Sequence, residues 1–167
     1  MGATEGKNSG KWYWEITLMN SDSRRIHSGM IGLAPKIHRS SNQCSNTLIR
    51  GYYPYAGGEK WNGSQISYGS PCSDTDIVGI AYDLDNGTIE FYKNGISMGV
   101  AFNDLKIFGN TLLYPTVIGN STVKTQLKGL TNFGATPFVY PIPEGFKAYD
   151  SLPGPNTLSN LIGQLIR

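Results

Sequence analysis

Asp76-Ile77-Val78-Gly79-Ile80-Ala81-Tyr82-Asp83-Leu84-Asp85-Asn86-Gly87-Thr88-Ile89-Glu90-Phe91-Tyr92-Lys93-Asn94-Gly95-Ile96-Ser97-Met98-Gly99-Val100-Ala101-Phe102 decides the fold of this chain. It holds two Asn-Gly pairs, each flanked by residues that suit strands. Asn-Gly favours a type I′ hairpin turn, in which both central residues need φ > 0. A two-residue turn at Asn86-Gly87 sets Leu84 opposite Ile89 and Tyr82 opposite Phe91. A second at Asn94-Gly95 sets Phe91 opposite Met98 and Ile89 opposite Val100. One apolar face then runs through Ile80, Tyr82, Leu84, Ile89, Phe91, Met98, Val100 and Phe102. Both turns and the period-2 pattern agree on one register, which predicts a three-stranded antiparallel meander with one buried face.

Working outward, Lys11 to Leu18 is aromatic and β-branched, with Trp12, Trp14 and Ile16 expected on one face. Gly29 to Ala34 reads as a short apolar strand ended by Pro35, Gln65 to Tyr68 as another, and Leu112–Ile118 and Ser121–Leu127 as two more. Many short strands separated by turn signals point to an all-β sandwich of two antiparallel sheets. The chain has 167 residues, with 21 Gly, 10 Tyr and only 16% charged side chains, which fits one β-rich domain. The expected organisation is an N-terminal extension over 1–10, a domain over 11–149, and a linker with a short amphipathic helix over 150–167. In that last segment Leu158, Leu161, Ile162 and Leu165 fall at helical spacing behind Asn156 or Thr157 as cap. Such a short helix is expected to dock on its own sandwich or on a partner, including a second copy of the chain.

Net charge of +2 and the lack of a basic run argue against nucleic acid. The N-terminus lacks the apolar core of a signal peptide, and no run reaches the ~20 apolar residues of a membrane span. Cys44 and Cys72 lie in turn-rich stretches, and both a disulfide and two free thiols stay open from spacing alone. Zinc-ligand spacing is missing, and neither a nucleophile elbow nor a phosphate-cradling glycine loop is present, so no cofactor is expected.

Several of these segments resemble the SPRY family. Trp12-Tyr13-Trp14-Glu15-Ile16 is similar to its opening strand, and Asp83-Leu84-Asp85 with Gly87-Thr88-Ile89 and Phe91-Tyr92 to its central hairpin. Gly99-Val100-Ala101-Phe102, Leu113-Tyr114-Pro115 and Asn132-Phe133-Gly134 follow in the family's order, over about Gly10 to Tyr149. The Leu-Asp-Pro element of the accompanying PRY segment has no counterpart. The resemblance implies a bent, concanavalin-like sandwich and a non-catalytic binding module whose ligand is held by loops. Its lone, low-charge, Ser/Asn/Gly-rich character looks like SPRY domains of tailed phages. That implies a virion structural or adhesion protein, such as a capsid decoration or tail fibre, binding a host surface, a glycan or another virion protein. The alternative is an intracellular, cytoplasmic adaptor that captures a short peptide of a target protein. A carbohydrate-active enzyme is a remote third.

The candidate ligand residues are Tyr52, Tyr53, Tyr55 and Trp61, which supply rigid aromatic contact area or else fill the sandwich edge. To these the long polar connection after Pro35 adds His38, Arg39, Asn42 and Gln43. By resemblance to family pocket positions, Tyr68 and Asn120 join them. Asp83 and Glu90 are opposite in the type I′ register, and such a pair could serve glycoside hydrolysis or hold calcium. Their place within the hairpin motif, with Lys93 nearby, favours a scaffold role.

Overall fold

The computed structural model describes residues 5–19, 29–36, 47–55, 57–119 and 127–150. The elements are β1 (Lys11–Met19), β2 (Gly29–Pro35), β3 (Arg50–Tyr53), β4 (Glu59–Trp61), β5 (Gln65–Ser67), β6 (Ile77–Asp83), β7 (Thr88–Lys93), β8 (Ile96–Phe102), β9 (Leu113–Gly119), β10 (Lys128–Asn132) and β11 (Lys147–Ala148). A 3-10 turn, Leu105–Phe108, follows β8. They form two sheets, ordered β10-β1-β6-β7-β8 and β5-β4-β3-β2-β9, with β11 added in parallel beside β1. All other pairings are antiparallel, so the expected sandwich is what forms.

The core lies between the sheets. Trp14, Ile16 and Leu18 of β1 and Ile80, Tyr82, Ile89 and Phe91 of the meander meet Ile31, Leu33 and Tyr52 of the opposing sheet. Burying one such side chain contributes about 1.5–3 kcal/mol, which is why the period-2 pattern fixes the faces. β1 is buried on its outer face as well. There Tyr13 packs edge-on to Phe138 at 5.1 Å, and the buried Glu15 carboxylate accepts from Tyr13 Oη and from the Val139 and Tyr140 N–H groups. Residues at the chain start also dock: Lys7 exchanges backbone hydrogen bonds with Leu113.

The meander forms, with two corrections. At Asn94-Gly95 both residues have positive φ (50° and 77°), and Lys93 faces Ile96, the expected two-residue turn. At Asn86-Gly87 the loop is four residues long, since Asp83 faces Thr88 and Tyr82 faces Ile89 rather than Phe91. The Asp83 carboxylate is the cause. It accepts from the Asn86 backbone and side-chain amides, while the Asp83 carbonyl accepts from Gly87, so the chain closes around Asp83. The slip is by two residues, which preserves every face. Between β7 and β8 the register shifts twice, and Gly99 takes φ 80°. Ile89 therefore faces Phe102 instead of Val100, Val100 turns outward, and Ala101 is buried in its place.

The aromatic stretch after Arg50 forms the β3–β4 hairpin. The expected strand at Ser121–Leu127 lies outside the described residues except for Leu127, and the helix at Leu158, Leu161, Ile162 and Leu165 lies wholly outside them.

Candidate functional site

The two sheets meet along two lateral seams, and two of the sequence-predicted residues, Tyr52 and Tyr68, lie at the one between β5 and β8. Here sheet edges are closed by side chains crossing between layers. The irregular β7–β8 pairing leaves the Phe91 N–H without a ladder partner, and the Tyr68 hydroxyl accepts from it while donating to the Gly99 carbonyl. Lys60, on β4, donates to the Ala101 carbonyl at 2.6 Å and lies over the Phe102 ring. Two outward carbonyls of the edge strand β8 are thus capped from the other sheet, one way to blunt an edge. Burial pushes the Tyr68 phenol up to about 12, so it stays protonated as this bridging donor.

Behind Tyr68 stands Tyr52, fully buried, stacked on Phe91 at 5.3 Å and donating to the Ser70 carbonyl. Its hydroxyl also meets the Cys72 thiol at 3.4 Å. Burial raises that thiol's pKa, which disfavours the reactive thiolate. Pairing of Cys72 with Cys44 lies outside the described residues. Arg50, also buried, forms a bidentate pair with Asp104 at 2.8 and 2.7 Å and lies against the Phe102 and Phe108 rings. At one end of the seam, burial would raise the Asp76 pKa, but bonds from the Ser73 N–H and Asn94 amide and the nearby Lys93 outweigh it and hold it low.

The predicted residues therefore separate. Tyr52 belongs to the main core, and Tyr53 packs with Trp61 (ring centroids 6.2 Å apart) in a second cluster with Met30, Ala34, Ile49 and Ile118. Successive residues of a strand point to opposite faces, so Tyr52 and Tyr53 cannot join one surface. Both being buried, they support the surface from beneath and offer a partner almost no area. Tyr55 is half-buried, its hydroxyl 3.4 Å from Asp74, and Tyr68 borders a shallow depression of about 500 Å³ with Ser70, Lys93, Ser97 and Met98. His38, Arg39, Asn42, Gln43 and Asn120 lie outside the described residues. The segment carrying the first four leaves β2 at Pro35, opposite Leu113, whereas Asn120 follows Gly119 at the other end of β9.

The Asp83–Glu90 pair also comes apart. Glu90 faces Ala81, and Asp83 is buried, 3.0 Å from Lys11 Nζ. Burial would raise the Asp83 carboxyl, but the Asn86 amides and Lys11 hold it below its ordinary value, the behaviour of a turn-building group. Among the described residues no cluster of His, Cys, Asp and Glu is arranged to hold a metal ion, and no helix is long and apolar enough to cross a membrane.

The opposite seam, between β9 and β10, was not singled out by the sequence. It contains an apolar cleft of about 310 Å³ bordered by Trp14, Ile16, Val117, Leu127, Thr131 and Phe133. Trp14 is fully buried there, and its indole N–H has no hydrogen-bond partner among the described residues. The usable sequence signal was the polar strand Lys128-Gly129-Leu130-Thr131-Asn132, which pairs only with β1 and shows no inward apolar residue.

Comparison with known proteins agrees with this architecture. A family model described as SPRY domain matches residues 11–132. The E3 ubiquitin-protein ligase RKP of Arabidopsis thaliana is 28% identical over 147 residues, covering 86% of this chain and 11% of the ligase. The ATP-dependent RNA helicase Ddx1 of Drosophila melanogaster is 30% identical over 146 residues, covering 86% of this chain and 18% of the helicase. Its counterpart in Xenopus laevis is 27% identical, covering 90% and 19%. The chain thus spans less than a fifth of the length of these relatives. Among solved structures, the SPRY domain of human HERC1 superimposes with a TM-score of 0.62 at 20% identity, covering 78% of this chain and 77% of that one. That likeness is one of fold.

Proposed function

The chain belongs to the SPRY domain family, and we propose that it works as a non-catalytic recognition module that captures a short segment of a partner protein. One observation carries the reading. The similarity fills 86 to 90% of this chain but only 11 to 19% of the relatives, as expected of a portable unit attached to different large proteins. The polar and charged groups that chemistry would require are committed to structure: Asp83 to its turn, Glu15 to the segment at Val139, Arg50 to Asp104. The relatives are cellular proteins of plant, frog and fly, which supports the intracellular adaptor over the virion or adhesion role.

In this reading the exposed rim near Tyr55, Tyr68, Ser70 and Ser97 forms the ligand face; Asn120 is proposed to extend it, whereas His38, Arg39 and Asn42, whose segment leaves β2 at the other end, do not join it. Tyr and Ser side chains there give rigid area and adaptable hydrogen bonding. Panning a random peptide library on the full 167-residue chain tests the proposal. A single enriched linear motif that binds in solution is expected. Enrichment of no motif, with saturable binding to a glycan array instead, would contradict it.

A further inference from the structure

Three features of the β9–β10 seam point the same way. Among the described residues β10 pairs with β1 alone, and Lys128 through Thr131 are exposed, so a row of main-chain N–H and C=O groups borders the cleft. The cleft is apolar, yet Trp14 brings to it a buried indole N–H with no acceptor among the described residues, a state the Trp61 indole and Tyr82 hydroxyl share, though neither borders the cleft. Lys128 stands at the end of β10 without an ion-pair partner among the described residues.

We propose that this seam is a second docking site, separate from the Tyr68 rim, for an extended peptide strand of a partner protein. The strand adds to the free edge of β10, places a methionine side chain in the cleft and sets an acidic residue toward Lys128. Main-chain hydrogen bonds along an open edge supply affinity, and pockets for alternate side chains supply selectivity. Methionine suits the cleft for three reasons. It is unbranched and fills irregular gaps, and its sulfur favours aromatic edges such as Trp14 and Phe133, whose centroids are 5.2 Å apart. Its thioether is also an acceptor within an otherwise apolar side chain, the group the indole N–H lacks. A second copy of β10 fits poorly. Its cleft-side residues are Gly129 and Thr131, and its charge is again Lys128, so it offers neither the long side chain nor the acid.

The test is a 15N NMR titration of the full chain with the capped pentapeptide acetyl-Asp-Val-Met-Val-Ser-amide. The Trp14 indole resonance should move downfield and saturate together with the amides of 128 to 131, while the Trp12 and Trp61 indole resonances hold still. Replacing methionine by norleucine, which keeps the bulk and removes the acceptor, should weaken binding at least threefold and abolish the downfield shift; serine should abolish binding. Thr131→Glu, at an exposed position, should weaken the methionine peptide at least fivefold in a chain that still folds. An unmoved Trp14 indole, equal responses to the three peptides, or unchanged affinity in Thr131→Glu would overturn the proposal. So would concentration-dependent shifts of β10 in the absence of peptide, which would give the seam to a second copy. Because the peptide is fixed in advance, failure here leaves the library result at the Tyr68 rim standing, and the reverse also holds.

Discussion

The two seams of this sandwich are built from the same kinds of element, an edge strand of one sheet beside an edge strand of the other, and they are finished in opposite ways. Between β5 and β8, Tyr68 and Lys60 reach across to cap the Gly99 and Ala101 carbonyls, and Tyr52 fills the space behind them. Between β9 and β10 no described side chain crosses to cap the outer row of β10, and a buried indole N–H is left unmatched beside a cleft. The contrast teaches that an edge can be closed by single polar atoms from the opposite layer. Where those atoms are missing, the fold keeps both the hydrogen-bonding row and the apolar space that a strand-like partner would use.

The comparison can be broken most forcefully at the closed seam. Tyr52→Ala removes a fully buried ring and two polar contacts, and should cost about 4 kcal/mol in urea unfolding. A loss below about 1 kcal/mol would mean the closed seam is not part of the core. Asp104→Ala leaves the Arg50 guanidinium buried without its carboxylate, and should cost about 2 kcal/mol, less than for a wholly buried pair because Asp104 is partly solvated. Replacing both residues by apolar ones in a double mutant should recover part of that loss.

Tyr68→Phe keeps the ring and removes only the cap. It should cost about 1–2 kcal/mol and make the Phe91 amide exchange faster, because one donor and one carbonyl lose their partner together. At the open seam the counterpart change, Thr131→Lys, should alter stability by no more than about 0.5 kcal/mol. A large loss there would show that the open seam carries structural weight after all.

Acid should act through two carboxylates, Asp76 on the closed side and Asp83 in the β6–β7 loop. The Asp76 pKa is lowered in the folded chain, so its contribution is complete above the unfolded value of about 3.9 and is lost as pH falls through the folded value. The wild-type chain should lose stability below about pH 4, and Asp76→Asn should flatten that acid limb. None of the residues bordering the β9–β10 cleft is a carboxylate, so that seam should not respond directly.

How much of this was legible beforehand follows from what each residue signals. The meander and its faces were, because burial on one side of a twisted sheet leaves a period of two that survives errors in register. The slip by two at Asn86 was not, since nothing in Asn-Gly itself reveals that the Asp83 carboxylate would capture the Asn86 amides and lengthen the loop. Val100 was misplaced because the register shifts twice between β7 and β8: the first shift, beside Gly99, turns Val100 outward, and the second leaves Phe102 on the buried face. Whether Tyr52 and Tyr53 offer contact area or fill the sandwich stayed open in the sequence, because composition alone does not say which face of a strand is covered; both are buried. The open seam was hard to read for a different reason: β10 shows no inward apolar residue, and its outer row follows only from the pairing.

The most direct measurement is native-state hydrogen exchange, residue by residue, on the full chain. The account predicts that the Phe91 amide, plugged by Tyr68 at the closed seam, exchanges only near the limit set by global unfolding. The outward amides of β10 should exchange by local fluctuation, many times faster. Comparable protection at the two seams would contradict the account, because it would mean that the β9–β10 edge is already closed and has no row to offer a partner.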